Sequence, residues 1–301
     1  MMKRFLHPLL LTITALIWGT AFVAQSLGGK AIGAFTLTAV RSFEGGIVLI
    51  PCIMLLKSLM KTGDTSGNGR LLLKGGVLCG VLLGLASMAQ QYGIAHTTVG
   101  KAGFLTALYI ILVPFAGLFI GKRPTLLMFA SAFLALWGMY LLCFKEAGGA
   151  MGKGDVWLCV CAVLFTMHIM SIDYFAPKVD CLKLACLQFF ASGVVSLLFA
   201  FCTEKIVPSE VLSCWGPILY LGVMSSGIAY TLQVVGQSGT HPVVASLIMS
   251  LEAVFAALAG AVYLGEKMTC REIWGCIIIF TAIILAQVPP KYLFFNRLSD
   301  R

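Results

Sequence analysis

Two opposite charges stand three residues apart inside an apolar stretch, Arg41 and Glu44 of "AVRSFEGG". In a helix that spacing puts both on one face, where opposite charges can meet. A charge at the centre of a membrane helix costs about 2.5 to 3.5 kcal/mol on insertion scales, so it faces a partner or a wet cavity. Three readings stay open: a cavity wall that holds or gates a charged solute, a self-neutralised pair that locks its helix to a neighbour, or an Arg that snorkels outward. Glu252 is the second candidate, with no basic residue one turn away. A lone carboxylate in a dry site can carry a proton or hydrogen-bond across a helix interface. Trp18, Gln25, Gln90, Gln91, Tyr109, His168, Tyr230 and Gln233 complete the set. Together such groups can orient a zwitterionic or aromatic solute. Singly, each also serves as an interhelical hydrogen bond or interfacial anchor. Asp173 is expected at the water boundary of its span.

Other chemistries lack their residues. There is no HExxH zinc signature, the four histidines are scattered, and no nucleophile carries an adjacent base signature. Eleven cysteines form no CxxC pair and sit mostly in apolar runs, where thiols act as small hydrophobes. Neither a metal nor a disulfide is assigned. Without a P-loop, ATP is not implied, and no cofactor is expected. The net charge of +9 accompanies no nucleic-acid-binding motif, so nucleic acid is excluded as a partner.

The elements that position these residues follow from composition. The chain is 59% hydrophobic and 11% charged, whereas soluble domains carry about 25% charged residues. The solvent for most of its surface is therefore the lipid bilayer. Stretches near 20 apolar residues predict ten spans at 8–28, 33–56, 71–94, 99–120, 124–144, 154–174, 181–202, 214–236, 241–264 and 271–288. The first is read as an uncleaved membrane helix, since it is long and lacks an evident cleavage site. With the N-terminus inside, the inner segments hold 13 Lys and Arg against 7 outside, which places both termini in the cytoplasm. Pro51 and Pro114 fall within spans and could bend them. Gly76, Gly80 and Gly84 form a stripe for close helix packing.

The phrase "GLFIGKRPT" at 117–125 returns as "AVYLGEKMT" at 261–269. Residues 102–120 align with 245–263 at an offset of 143, pairing Ala102 with Ala245, Leu108 with Leu251 and Tyr109 with Glu252. These stretches fall in spans four and nine, so the repeat contains five helices. Because five is odd, the second copy starts on the opposite side of the membrane. The expected fold is an all-α membrane protein: ten transmembrane helices as two inverted five-helix repeats, 1–147 and 148–301, around a central cavity. Such architecture suits secondary transporters, whose solute binds near the midplane. Small-solute channel and non-transporting membrane scaffold are the alternatives.

"ALIWGTAFV", "AVRSFEGG", "GKAGFLTALYIILVPFAGLFIGKRPT" and "ASLIMSLEAVFAALAGAVYLGEKMT" resemble the EamA family of the drug/metabolite transporter superfamily, over almost the whole chain. Ala253 stands where the family commonly has Pro, and Lys267 where it has Arg. The resemblance implies ten helices around a central cavity in a bacterial-type inner membrane. It implies a small-molecule solute, commonly an amino acid or other metabolite that is exported by alternating access. Coupling would come from the solute gradient or an ion gradient, protons at Glu252 being one candidate.

Overall fold

The computed structural model describes residues 2–60, 68–97, 99–143, 151–263 and 268–287. Gly265 and Lys267 of the second charged phrase lie outside the described residues, as do Lys61, Lys145, Lys291, Arg297 and Arg301.

Ten helices are long and apolar enough to cross a membrane, and strands are absent among the described residues. They are α1 (Met2–Ala31), α2 (Ala34–Met60), α3 (Gly69–Ala95), α4 (Val99–Thr106, then Tyr109–Phe119) and α5 (Leu126–Cys143). The second five are α6 (Lys153–Phe175), α7 (Cys181–Thr203), α8 (Trp215–Leu219, Tyr220–Ala229, Tyr230–Gln237), α9 (Pro242–Met249, then Leu251–Tyr263) and α10 (Cys270–Gln287). In lipid every backbone group must be satisfied within the chain, which makes the helix the natural outcome of each apolar run. Lipid-facing side chains such as Phe119, Leu126 and Val262 are exposed, as this solvent allows.

The ends are capped by side chains. Asn68 accepts the Leu71 N–H at the start of α3, and Asp180 accepts those of Leu182 and Lys183 at α7. The start of α2 is capped from a distance: Glu204, just beyond α7, accepts the N–H groups of Phe35 (2.9 Å) and Thr36 (2.8 Å). A Cβ on Gly33 would occupy the space of that carboxylate. In each such contact the start of one helix meets the end of another. His7 bonds the Val235 carbonyl near the start of α1 and the end of α8, while Thr97 donates to Asp155 where α3 ends and α6 begins. The bundle thus has an N-terminal face, where α1 begins, and a far face, where α1 ends.

Packing partnerships recur five helices apart. α3 packs on α6, and α8 on α1; α3 packs on α7, and α8 on α2; α1 packs on α9, and α6 on α4. α2 with α7 and α5 with α10 pair each helix with its own counterpart. Small residues allow the closest approaches. A Cβ on Gly80 would stand 2.4 Å from the Gln188 carbonyl oxygen, and one on Gly138 would stand 2.8 Å from that of Gly275. Gly76 and Gly84 likewise lie against Leu187 and Ser192, so the predicted stripe on α3 is its seam with α7.

Three features depart from ten plain helices. α4 breaks at residues 107–108 and α9 at Ser250, positions related by the same offset of 143. In α9 the Ser246 and Ser250 hydroxyls donate to the carbonyls of Val243 and Leu247, a back-bonding that bends helices. The middle of α8, Tyr220–Ala229, is a π-helix, a widening often found at functional sites. Pro51, in contrast, lies within an uninterrupted α2.

Candidate functional site

A cavity opens between α1, α2, α3, α4, α6, α8 and α9. Its wall is Trp18, Phe22 and Gln25 from α1, Arg41 from α2, Gln90 from α3, and Thr106 and Tyr109 from α4. From the second half come Phe165 and Ile169 of α6, Ser225, Tyr230 and Gln233 of α8, and Met249 and Glu252 of α9. The helix breaks deliver four of these. Thr106 and Tyr109 flank the interruption of α4, and Met249 and Glu252 flank that of α9. A broken helix turns side chains inward that a straight one would spread around its circumference, and transporter sites use it at the midplane.

Part of the wall is paired. Phe22 with Phe165, Gln90 with Gln233, Thr106 with Met249 and Tyr109 with Glu252 are each separated by 143 residues. The charges are not matched in this way: Glu252 has a tyrosine as its counterpart, and Arg41 has none in the lining. Arg41 is 4% exposed and Glu252 9%, and the two line one cavity from α2 and α9. Tyr230 lies within electrostatic reach of both, and Tyr109 within reach of Glu252. The Tyr230 ring is fixed by Trp18 at 4.6 Å, Phe189 at 5.6 Å and His168 at 6.3 Å between centroids. Trp18 Nε1, Gln25 Oε1 and Gln233 Oε1 are buried without a protein partner among the described residues. An arrangement of one cation, one anion, phenols and unengaged amides can bind a small molecule carrying both charges.

The cavity volume is about 40 Å3, against about 10–15 Å3 for one water, so it holds about three waters. It is also off-centre. Arg41 stands seven residues inside the far-face end of α2 and Gln25 six residues inside that of α1, about 10 Å deep at 1.5 Å per residue. Toward the N-terminal face the space is filled by the largest apolar cluster, which includes Leu11, Ile110, Val113, Leu247 and Ile248.

Eight of the eleven residues singled out in the sequence line this cavity, and Glu44, Gln91 and His168 do not. Glu44 forms no ion pair with Arg41, and its carboxylate fills a notch that a Cβ on Gly222 of the α8 π-helix would occupy. Gln91 donates from Nε2 to the Gln25 carbonyl (3.2 Å), tying α3 to α1. His168 bonds Gln188 through Nε2 (3.1 Å). The spacing of Arg41 and Glu44 allowed a contact, but Glu44 sits instead against Gly222 of α8, which has no side chain to displace it. Phe22, Thr106, Phe165, Ile169, Ser225 and Met249 were missed. Only the offset could have found some of them: three residues before the Tyr109/Glu252 pair it predicts Thr106 and Met249. Asp173 lies at a helix end, as expected, paired with Lys122 at 2.8 Å.

Ten apolar helices around a polar, charged cavity define a multi-pass membrane transporter, and relatives bear this out. Residues 6–144 and 152–287 match the EamA-like transporter family, and the chain belongs to it. It is 29% identical to an uncharacterized transporter of Archaeoglobus fulgidus, over 95% of this chain and 87% of that protein. It is 26% identical to Protein PecM of Dickeya dadantii, over 90% and 89% of the two. A solved crystal structure superposes with a TM-score of 0.76 at 20% identity, covering 93% of this chain and 96% of that one, and so shares the fold.

Proposed function

We propose that the protein is a secondary transporter that exports a small zwitterionic metabolite, an amino acid or a related compound, by alternating access. The observation that carries this reading is the placement of Arg41 and Glu252, one cation and one anion, in a single cavity lined by both halves of the chain. The guanidinium suits a carboxylate, with two parallel hydrogen bonds available. The Glu252 carboxylate suits an ammonium group, or a proton when the solute is absent. Trp18, Phe22, Phe165 and Tyr230 suit the solute's carbon skeleton.

The halves 1–147 and 148–301 are read as inverted repeats. Packing partnerships that recur five helices apart support a pseudo-twofold axis through the cavity. An axis of that kind makes two conformations nearly equivalent, one open to each face. The protein is read as an inner-membrane one with both termini in the cytoplasm, and the excess of Lys and Arg supports placing the N-terminal face there. A cavity closed toward that face favours a carrier over a channel.

Counterflow in liposomes tests the reading. Purified protein should exchange labelled amino acids or related zwitterions across the membrane, and an imposed pH gradient should change the rate if Glu252 carries a proton. Ion current that needs no solute would refute the carrier in favour of a channel. No exchange across a broad panel of zwitterions would refute the solute class.

A further inference from the structure

The polar face of α8 does not stop at the cavity. Tyr230 and Gln233 line it, and Gln237 lies four residues further, on the same side of the helix and toward the N-terminal face. Gln237 is 2% exposed, yet among the described residues neither its amide oxygen nor its amide nitrogen meets a protein partner. The hydroxyl of Thr240 is likewise without a partner among them. A buried polar group left unmet is destabilising, the more so inside a bilayer. A leucine there would fill similar space without that penalty. The cost is explained if Gln237 has partners in a second conformation of the same protein.

The surroundings show what would have to move. All eight residues of Pro242–Met249 are buried, so this first segment of α9 plugs the N-terminal half of the bundle together with the second segment of α4, on which it packs. Both segments end at the breaks beside the cavity. At the N-terminal face they meet an ion pair, Lys122 Nζ to Asp173 Oδ2 at 2.8 Å, between the α4–α5 turn and the end of α6. Lys122 is held in place by the turn before it. Gly121 has φ of 77°, and the Lys122 N–H donates to the Gly117 carbonyl at 2.9 Å. His241, which caps α9 by accepting the Val243 N–H at Nδ1, lies within electrostatic reach of both partners.

We propose that Gln237 is a second solute-contacting position on the N-terminal side of the path, covered in this conformation and exposed when the Lys122–Asp173 ion pair opens. The solute's carboxylate and ammonium groups suit an amide that both donates and accepts. The inference rests on the transport reading and adds to it a waypoint and a latch.

The test uses Gln237→Cys in full-length protein whose eleven native cysteines have been replaced, reconstituted in liposomes. A membrane-impermeant maleimide is offered to the N-terminal face. Labelling should be slow with the latch intact. Asp173→Asn should raise it about fivefold, the scale of losing one half-exposed ion pair, and exchanging the charges by Lys122→Asp with Asp173→Lys should return it to slow. Gln237→Leu, in otherwise native protein, should raise the solute concentration for half-maximal counterflow. Labelling indifferent to Asp173→Asn overturns the latch, and unchanged counterflow in Gln237→Leu overturns the contact. Labelling needs no solute, so either failure beside normal counterflow sinks this inference alone. A responsive latch in protein that exchanges no solute would instead sink the transport reading.

Discussion

Replacing Arg41 with methionine separates a binding role from a structural one. Among the described residues Arg41 forms no ion pair, although it is 4% exposed. Its charge is thus desolvated without a carboxylate to offset the cost. Removing a buried charge that has no counter-ion, and keeping most of the side-chain volume, should leave the fold as stable or more so. Binding should suffer. Hydrogen bonds to charged groups contribute about 1.5–3 kcal/mol, and each 1.4 kcal/mol is tenfold. Half-saturation of counterflow should therefore move up about 10- to 150-fold for a solute that carries a carboxylate. The amine formed by removing that carboxylate should show little change. Counterflow with both compounds, beside thermal unfolding in detergent, measures all three quantities. An equal loss for the two compounds, or a clear fall in melting temperature, would refute the assignment of Arg41 to the solute carboxylate.

Glu252→Gln preserves the shape of the cavity wall and should abolish any response of transport to a pH gradient while leaving membrane insertion intact; an unaltered response removes Glu252 from the coupling. Gly80→Ala would set a methyl 2.4 Å from a backbone carbonyl oxygen of α7 and should destabilise the protein by about 1–3 kcal/mol, read as a lower melting temperature. Burial first, then the Lys122 ammonium, lower the pKa of His241, against a smaller opposing effect of Asp173. The folded state thus binds fewer protons there than the unfolded one. Its contribution to stability is present above the ordinary imidazole value of about 6.5 and is lost as pH falls below it. Melting curves between pH 7.5 and pH 5 (on the order of that range) should show the loss, and His241→Gln should remove it. Cysteines at Asn68 and Glu204, at equivalent connections of the two halves, should be accessible from opposite sides of the membrane; reactivity from one side would refute the inversion.

Much of the fold is legible in the sequence. An apolar run of some 20 residues has one stable form in lipid, so the ten helices and most of their ends followed from composition alone. The offset of 143 also showed in the sequence, because a repeated helix repeats its small and apolar positions. Eight of the eleven residues singled out in the sequence line the cavity for a related reason: lipid penalises polar side chains, so those inside a span are few and easily noticed. What a polar residue faces is another matter. Gln90 lines the cavity and Gln91 braces α1, though they are neighbours in one helix. Only the rotation of α3 against α6 and α7 decides between them. Glu44 sits in the notch at Gly222 rather than on Arg41 because that glycine leaves the space open, and no pattern within α2 announces a contact with a helix so distant in sequence. The paired breaks of α4 and α9, and the closure of the N-terminal half around Gln237, likewise belong to the tertiary structure. They depend on contacts between distant segments, and hydrophobic patterning records only whether a side chain is buried, not what it is buried against.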